Sequence, residues 1–320
     1  MWAGRHVVLG VSGGIACYKS CILARRLTEA GARVDVVLTR AAAEFVRPLT
    51  FEALTGRPVL TSLWEPDRAL AHVRIADAAD LGIVAPATAQ LIARAAQGLA
   101  DDVLMTLLLA RTGPVLAAPA MNDSMYAQEA TGRNVAALAA RGWAFVGPEV
   151  GPLAEGPSDK PGRMSEPESI LAHAARLLRR GSPLAGRTVV VTAGPTREPI
   201  DPVRVVTNRS SGKMGYRLAE AAWERGAEVV LVSGPVNLAA PVGVRLRSVE
   251  TTEDLEKAVA EELPRADVLI MAAAPADYRP SSPSDAKHPR TDGALAIPME
   301  PTADILRATI AVRKRGSVIV

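Results

Sequence analysis

Short apolar runs rich in β-branched residues alternate along the chain with longer stretches whose apolar positions recur at helical spacing. Runs bounded by glycine, proline or small polar residues suit buried strands, and the longer stretches suit amphipathic helices. In the first half this pattern predicts strands over residues 5–11, 34–38, 81–85 and 115–118, and a helix over 15–30 closed by Gly31. In the second half it predicts strands over 189–192, 228–232, 244–249 and 268–272, with helices over 213–225 and 254–263. Strand and helix in alternation imply parallel sheets with helices on both faces. The expected fold class is α/β, two doubly wound (Rossmann- or flavodoxin-like) parallel-sheet domains in tandem. The halves share this plan without a residue-level repeat.

The length of 320 residues agrees with two domains. Expected boundaries are 1–178 and 186–320, with a linker over 179–185. The stretch 165–184, holding a helix over 168–179 between Pro167 and Gly181-Ser182-Pro183, reads as the connecting segment. Aromatic residues make up only 3% of the chain, so both cores must be built from Ala, Val and Leu. The net charge of +3 comes from scattered arginines rather than a basic run, favouring anionic small molecules over nucleic acid. No apolar stretch is long enough to span a bilayer, and the N-terminus lacks a secretory pattern. A cytoplasmic protein with no membrane partner is expected. Cys17 and Cys21 lie on one predicted helix with no further Cys or His to complete a metal set, and read as structural.

Candidate chemistry gathers at the strand ends. After the first strand, Gly10-Val11-Ser12-Gly13-Gly14 opens a helix, as a βαβ unit does where the backbone approaches a ligand. The second strand ends in Thr39-Arg40 instead of the acidic residue that would recognise an adenosine ribose, which suits a mononucleotide phosphate. Thr88 and Asn122 end the next two strands, so Ser12, Thr39, Thr88 and Asn122 are expected along one edge of a sheet. His72, in an apolar context, is a satisfied histidine or a catalyst. In the second half, the polar segment after residue 192 runs through Ser210-Ser211-Gly212-Lys213 into a helix whose N-terminus suits a phosphate. It is not a P-loop, since Met214 follows Lys213.

Gly10-Val11-Ser12-Gly13-Gly14-Ile15-Ala16, His72, Pro86-Ala87-Thr88-Ala89 and Pro119-Ala120-Met121-Asn122 together resemble the flavin-dependent cysteine decarboxylases. The resemblance covers about residues 1–165. It implies that FMN is held by Gly10, Ser12, Gly13, Gly14, Thr39, Pro86, Ala87, Thr88 and Ala89, while His72 and Asn122 act on the substrate carboxylate. It further implies that FMN oxidises the substrate thiol so that CO2 can leave, and then returns the hydride. Leu153-Ala154-Glu155-Gly156 through Gly162-Arg163-Met164 matches the family's flap, but Glu155 stands where some members carry a Cys proton donor. A carboxylic acid held protonated by burial can serve instead. A different donor, or an impaired half, are the alternatives.

Thr192-Ala193-Gly194-Pro195-Thr196-Arg197-Glu198, Asp201-Pro202-Val203-Arg204, Thr207-Asn208-Arg209-Ser210-Ser211-Gly212-Lys213-Met214-Gly215 and Ala272-Ala273-Ala274-Pro275-Ala276-Asp277-Tyr278 resemble the phosphopantothenate–cysteine ligases. The two resemblances in this order imply a bifunctional enzyme of coenzyme A synthesis. Its substrates would be 4'-phosphopantothenate, cysteine and phosphopantothenoylcysteine. CTP would activate the carboxylate as an acyl-cytidylate, with Mg²⁺ held mainly by the triphosphate and metal ligands on the protein unknown. Asn208 would orient the carboxylate, Arg204 would lie near the acyl intermediate, and Lys287 would meet the phosphoryl charge. The nucleotide would contact Ala272, Ala273, Asp277, Lys287, Ala303, Asp304, Ile305 and Leu306. The family's lysine-rich run is reduced here to Lys287-His288-Pro289-Arg290.

The family also implies homo-oligomers. The chain stops within the apolar run Ser317-Val318-Ile319-Val320, where the family continues, so a C-terminally truncated sequence with an incomplete nucleotide site is expected. Two rival readings remain: a nicotinamide-dependent oxidoreductase, opposed by the lack of GxGxxG, and a non-catalytic flavin-binding regulator or subunit.

Overall fold

In β1 (His6–Val11) every residue is buried, as in a central parallel strand covered on both faces. The computed structural model describes residues 1–64, 70–289 and 295–320. The chain divides into two compact units, Met1–Leu178 and Arg179–Val320.

In the first unit β1 is followed by α1 (Cys17–Glu29), β2 (Arg33–Leu38), α2 (Arg40–Phe45), α3 (Pro48–Thr55), α4 (Ala71–Ala78) and β3 (Leu81–Ala87). Then come α5 (Ala89–Gln97), α6 (Val103–Ala110), β4 (Val115–Pro119), α7 (Asp123–Tyr126), α8 (Glu129–Ala140) and β5 (Ala144–Phe145). The strands pair in parallel in the order β2-β1-β3-β4-β5. Alternate side chains go to opposite faces: Val7, Leu9 and Val11 join one core with Leu23 and Leu27 of α1, while Val8 joins another with Ile92 of α5 and Leu104 of α6. A short antiparallel ribbon, β6 (Glu149–Val150) with β7 (Pro161–Arg163), precedes α9 (Pro167–Leu178).

The segment expected to connect the domains is corrected here. Ile170, Ala174 and Leu177 of α9 are buried in the same core as α1. This helix therefore closes one face of the first sheet. Its bracketing proline and glycine mark a helix start and a turn, not a tether.

Away from the strand ends that carry the candidate chemistry, His6 and Asp35 form a buried pair, Nε2 to Oδ2 2.6 Å, and Arg57 Nε reaches the other carboxylate oxygen at 2.6 Å. Burial alone would raise the Asp35 carboxyl, but these hydrogen bonds and the charges of Arg57 and His6 outweigh it and hold its pKa at about 2, below the ordinary 3.8. Because the folded carboxyl titrates below the unfolded one, its stabilisation is complete above the unfolded value and is lost as the pH falls through the folded one. Asp35→Asn is expected to lower the stability of the first unit by about 2 kcal/mol at neutral pH. Urea melts at stepped pH should show the wild type losing that margin between about pH 4 and about pH 2, and the variant losing none of it there.

The second unit contains β8 (Thr188–Ala193), β9 (Arg197–Pro199), β10 (Val205–Thr207), α10 (Lys213–Glu224), β11 (Glu228–Ser233), β12 (Arg245–Ser248), α11 (Thr252–Glu262) and β13 (Val268–Met271). It ends with β14 (Tyr278–Pro280), β15 (Met299–Pro301), α12 (Ile305–Ala308) and β16 (Val318–Ile319). Its parallel sheet runs β12-β11-β8-β13-β16, with β9/β10 and β14/β15 as antiparallel ribbons outside it. The first sheet thus has flavodoxin-type order and the second Rossmann-type order. Among the described residues no helix is long and apolar enough to cross a membrane.

Candidate active sites

Each sheet reverses its winding once, between β1 and β3 in the first unit and between β8 and β13 in the second. Ligands of open α/β sheets bind in the crevice at such a reversal, outside the carboxyl ends of the strands.

At the first reversal the loops after β1 and β3 interlock. Ser12 Oγ donates to the Pro86 carbonyl at 2.7 Å and accepts from the Thr88 N–H at 3.1 Å. Thr39 and Thr88 cap their helices, accepting from the N–H groups of Ala42 and Leu91. A Cβ on Gly13 would stand 2.5 Å from Ala41 Cβ and 2.7 Å from its carbonyl carbon, so only glycine lets this loop lie against α2. The result is a cleft of two lobes sharing Gly13, Thr88 and Gln90. The larger, about 540 Å³, has apolar walls that include Ile15, Met121, Met125, Leu153 and Met164. The smaller, about 370 Å³, is polar, with Ser12, Thr39, Arg40, Arg94 and Asp102. These residues fit FMN: an apolar slot for a flat ring, joined to a polar lobe where Thr39 and Arg40 offer a hydroxyl and a guanidinium to a phosphate.

Of the residues expected to hold FMN, Ser12, Gly13, Gly14, Thr39, Thr88 and Ala89 line this cleft. Gly10, Pro86 and Ala87 stand behind them. Gly10 lies within β1, where a Cβ would meet Leu104 Cδ1 at 2.5 Å, and Ala87 is fully buried. His72, the half-buried second residue of α4, lines neither lobe. Pattern reading missed Lys19, which lines the larger lobe yet is only 4% exposed. Its Nζ donates to the Met164 carbonyl at 2.7 Å and to Glu166 at 3.0 Å.

The flap, residues 153–164, runs through β7 and lies against the end of β4. Met121 N–H donates to the Gly162 carbonyl at 3.0 Å, and Ser158 Oγ donates to Asp123. Asn122 Oδ1 caps α7, accepting from the N–H groups of Ser124 at 2.9 Å and Met125 at 3.4 Å. With the oxygen so engaged, the amide N–H groups face away from the helix, and Asn122 Nδ2 donates to Glu155 Oε1. Glu155 is exposed, so the burial that the sequence reading required to hold it protonated is absent.

At the second reversal the turn after β13 is strapped to the end of β8. Thr192 Oγ1 accepts from the N–H groups of Ala272 and Ala273 at 3.1 Å each, and Ala274 N–H donates to the Gly194 carbonyl at 2.8 Å. Ala272 and Ala273 therefore spend their N–H groups inside the protein. Asn208 Nδ2 donates to the carbonyls of Ala274 at 3.3 Å and Pro275 at 2.8 Å, so the donors expected to face a carboxylate here hold the turn. A cavity of about 320 Å³ is lined by Asp277, Ala303, Asp304, Ile305 and Leu306 together with Met271, Pro275, Ala276 and Thr302. Lys287 is exposed and is not part of that lining.

The loop carrying Lys287 is pinned from below by the buried side chain of Asp201. This carboxylate accepts from the N–H groups of Val203, Arg204 and His288, while Arg204 donates to the His288 carbonyl at 3.2 Å. Burial would raise the Asp201 carboxyl, but those backbone donors and Arg204 hold it below the usual range. Arg290 lies outside the described residues.

Three glycines of the second unit gather at the end of β8 although the linear GxGxxG spacing is absent. Gly194 and Gly212, both with positive φ, meet at the end of β8, and a Cβ on Gly215 would stand 2.5 Å from Ala193 Cβ. The spacing between the first and second glycines is opened by residues 195–211, which form the β9/β10 ribbon. Among the described residues no cluster of His, Cys, Asp or Glu could hold a metal ion.

Two family models match the chain, one described as flavoprotein over residues 1–179 and one as DNA/pantothenate metabolism flavoprotein C-terminal domain over residues 184–320. The coenzyme A biosynthesis bifunctional protein CoaBC of Vibrio vulnificus is 46% identical over 314 residues, 97% of this chain and 78% of that protein. The protein of the same name from Bacillus subtilis is 45% identical over 325 residues, 100% of this chain and 80% of that protein. The solved structure of the FMN-dependent cysteine decarboxylase SpaF is 31% identical, with a TM-score of 0.47, covering 54% of this chain and 97% of that one.

Proposed function

We propose, from the premise that this chain belongs to the family of coenzyme A biosynthesis bifunctional proteins, how its two reversals divide the work. The first unit removes CO2 from phosphopantothenoylcysteine. The second joins 4'-phosphopantothenate to cysteine with CTP. The observation that carries the reading is the Asn122 amide, whose donors are held toward an apolar cleft at the first reversal.

In the first unit Ile15, Met121 and Met164 of the larger lobe would hold the FMN ring, and Thr39 and Arg40 of the smaller one its phosphate. FMN held there would supply a hydride acceptor and donor for the substrate. The Asn122 N–H groups grip the substrate carboxylate, and Met121, Met125 and Met164 strip water from it. Loss of neutral CO2 from a carboxylate in such surroundings relieves the cost of a poorly solvated charge. The resemblance gives a histidine a part on the same carboxylate, but His72 lines neither lobe and the scheme assigns it no step. Assembly of copies belongs to the reading too, supported by exposed Tyr18 and Ile22 on α1 and Ile15 just before it.

In the second unit the cavity beside Asp277 takes the cytosine and ribose, and the N-terminus of α10 takes phosphates. Arg204 and Lys287, on facing segments tied by Asp201, supply the cations for the acyl-cytidylate step. Mg²⁺ enters with the triphosphate.

The test uses purified protein with added FMN. Labelled CO2 should leave phosphopantothenoylcysteine, and CTP with 4'-phosphopantothenate should release pyrophosphate before cysteine is added. A flavin-loaded protein that releases no CO2 sinks the first assignment. Pyrophosphate release that requires cysteine sinks the acyl-cytidylate step.

A further inference from the structure

We infer that Glu155 is a built-in occupant of the substrate-carboxylate position, exchanged for the substrate's own carboxylate on each turnover. The inference rests on the decarboxylase reading of the first unit and says what this chain's flap adds to it.

The amide of Asn122 cannot turn freely. Its oxygen accepts two N–H groups at the start of α7, which leaves its N–H groups directed at the flap, where a carboxylate of the chain itself receives them. Asn122 and Glu155 both line the larger lobe. The flap is brought to this place by other contacts as well: Ser158 to Asp123, and Gly162 to Met121. Glu155 therefore returns to the same corner whenever the flap is down.

A carboxylate accepting from an amide is the interaction proposed for the substrate, and two carboxylates at one corner repel each other. A ligand that brings a carboxylate must displace Glu155. A ligand without one need not. Glu155 thus weakens the hold on the substrate but not on the decarboxylated product. When CO2 has gone, it takes back the Asn122 donors that the substrate has vacated.

The experiment compares two ligands that do not turn over, by calorimetry on the FMN-loaded protein. One is phosphopantothenoylserine, which keeps the carboxylate and has a hydroxyl in place of the thiol. The other is 4'-phosphopantetheine, which has no carboxylate. Glu155→Ala is expected to bind the serine compound about tenfold more tightly than wild type, the scale of one hydrogen bond to a charged group. Glu155→Gln, which keeps an acceptor but not the charge, should gain less. Affinity for 4'-phosphopantetheine should stay within about twofold in both, which also shows that the variants are folded.

Unchanged or weaker binding of the serine compound by Glu155→Ala overturns the inference. So does an equal gain for both ligands, which would mean only a looser flap. If the wild type binds neither ligand, the decarboxylase reading falls and takes this inference with it. If it binds both and releases CO2 while Glu155→Ala gains nothing, the inference falls alone.

Discussion

Asn122→Asp is expected to lower kcat/KM for CO2 release by about a thousandfold while FMN stays bound and the fold is intact. The substitution is nearly isosteric, and aspartate caps a helix as well as asparagine does. The N–H groups of Ser124 and Met125 therefore keep their acceptor. What changes is the other half of the side chain, where the donating NH2 becomes a second anionic oxygen. That removes a hydrogen bond to a charged group, about 1.5–3 kcal/mol, and sets a like charge against the substrate carboxylate. Together these reach about 4 kcal/mol, or three powers of ten in rate. Steady-state CO2 release and flavin absorbance on one preparation would measure both halves of the claim. A variant within about tenfold of wild type would remove Asn122 from the carboxylate site.

Gly215→Ala is the second large effect, and it runs against helix propensity. In an unconstrained helix the change stabilises by about 1 kcal/mol. Here the new methyl would lie 2.5 Å from Ala193 Cβ and 2.7 Å from the Thr192 carbonyl oxygen, both belonging to β8. Backbone cannot yield as a flexible side chain does, so α10 must lift from the sheet. Overpacking of this kind costs about 1–3 kcal/mol. The displaced N-terminus of α10, which the proposed mechanism aims at phosphates, should lose about a hundredfold in pyrophosphate release, as small misplacements near a reacting centre do. CO2 release by the first unit provides the internal control. Ligase activity near wild type, or equal loss of both activities, would show that this contact does not govern the site.

The sheets were legible because central parallel strands are covered on both faces and read as unbroken apolar runs, as residues 7–11 do. The two-residue strand Ala144–Phe145 was not, since it is too short to show a period. Nor was the role of α9. Its bracketing proline and glycine are the same whether a helix tethers or packs, and only the burial of Ile170 and Ala174 separates the two.

Within the first site, Ser12, Gly13 and Thr88 could be found because strand ends in a doubly wound sheet share an edge. Lys19 could not, because a lysine on a helix reads as solvated until its partner at Met164, distant along the chain, is known. In the second unit Gly194 and Gly212 were visible one by one, but their meeting at the end of β8 was not, because residues 195–211 separate them along the chain. The donors of Asn208 turned inward for a related reason: the carbonyls they meet belong to a turn after β13, well removed in sequence.

The difference in strand order has a historical consequence. A tandem copy of one ancestral segment would carry the same winding in both descendants, however far their residues drifted. Here one sheet runs 2-1-3-4-5 and the other 3-2-1-4-5, each counted from its own first strand. Converting one into the other means moving the third strand from between the first and fourth to the sheet edge beyond the second, which point substitution cannot do. The two halves are therefore not copies of one segment that drifted apart by point substitution alone.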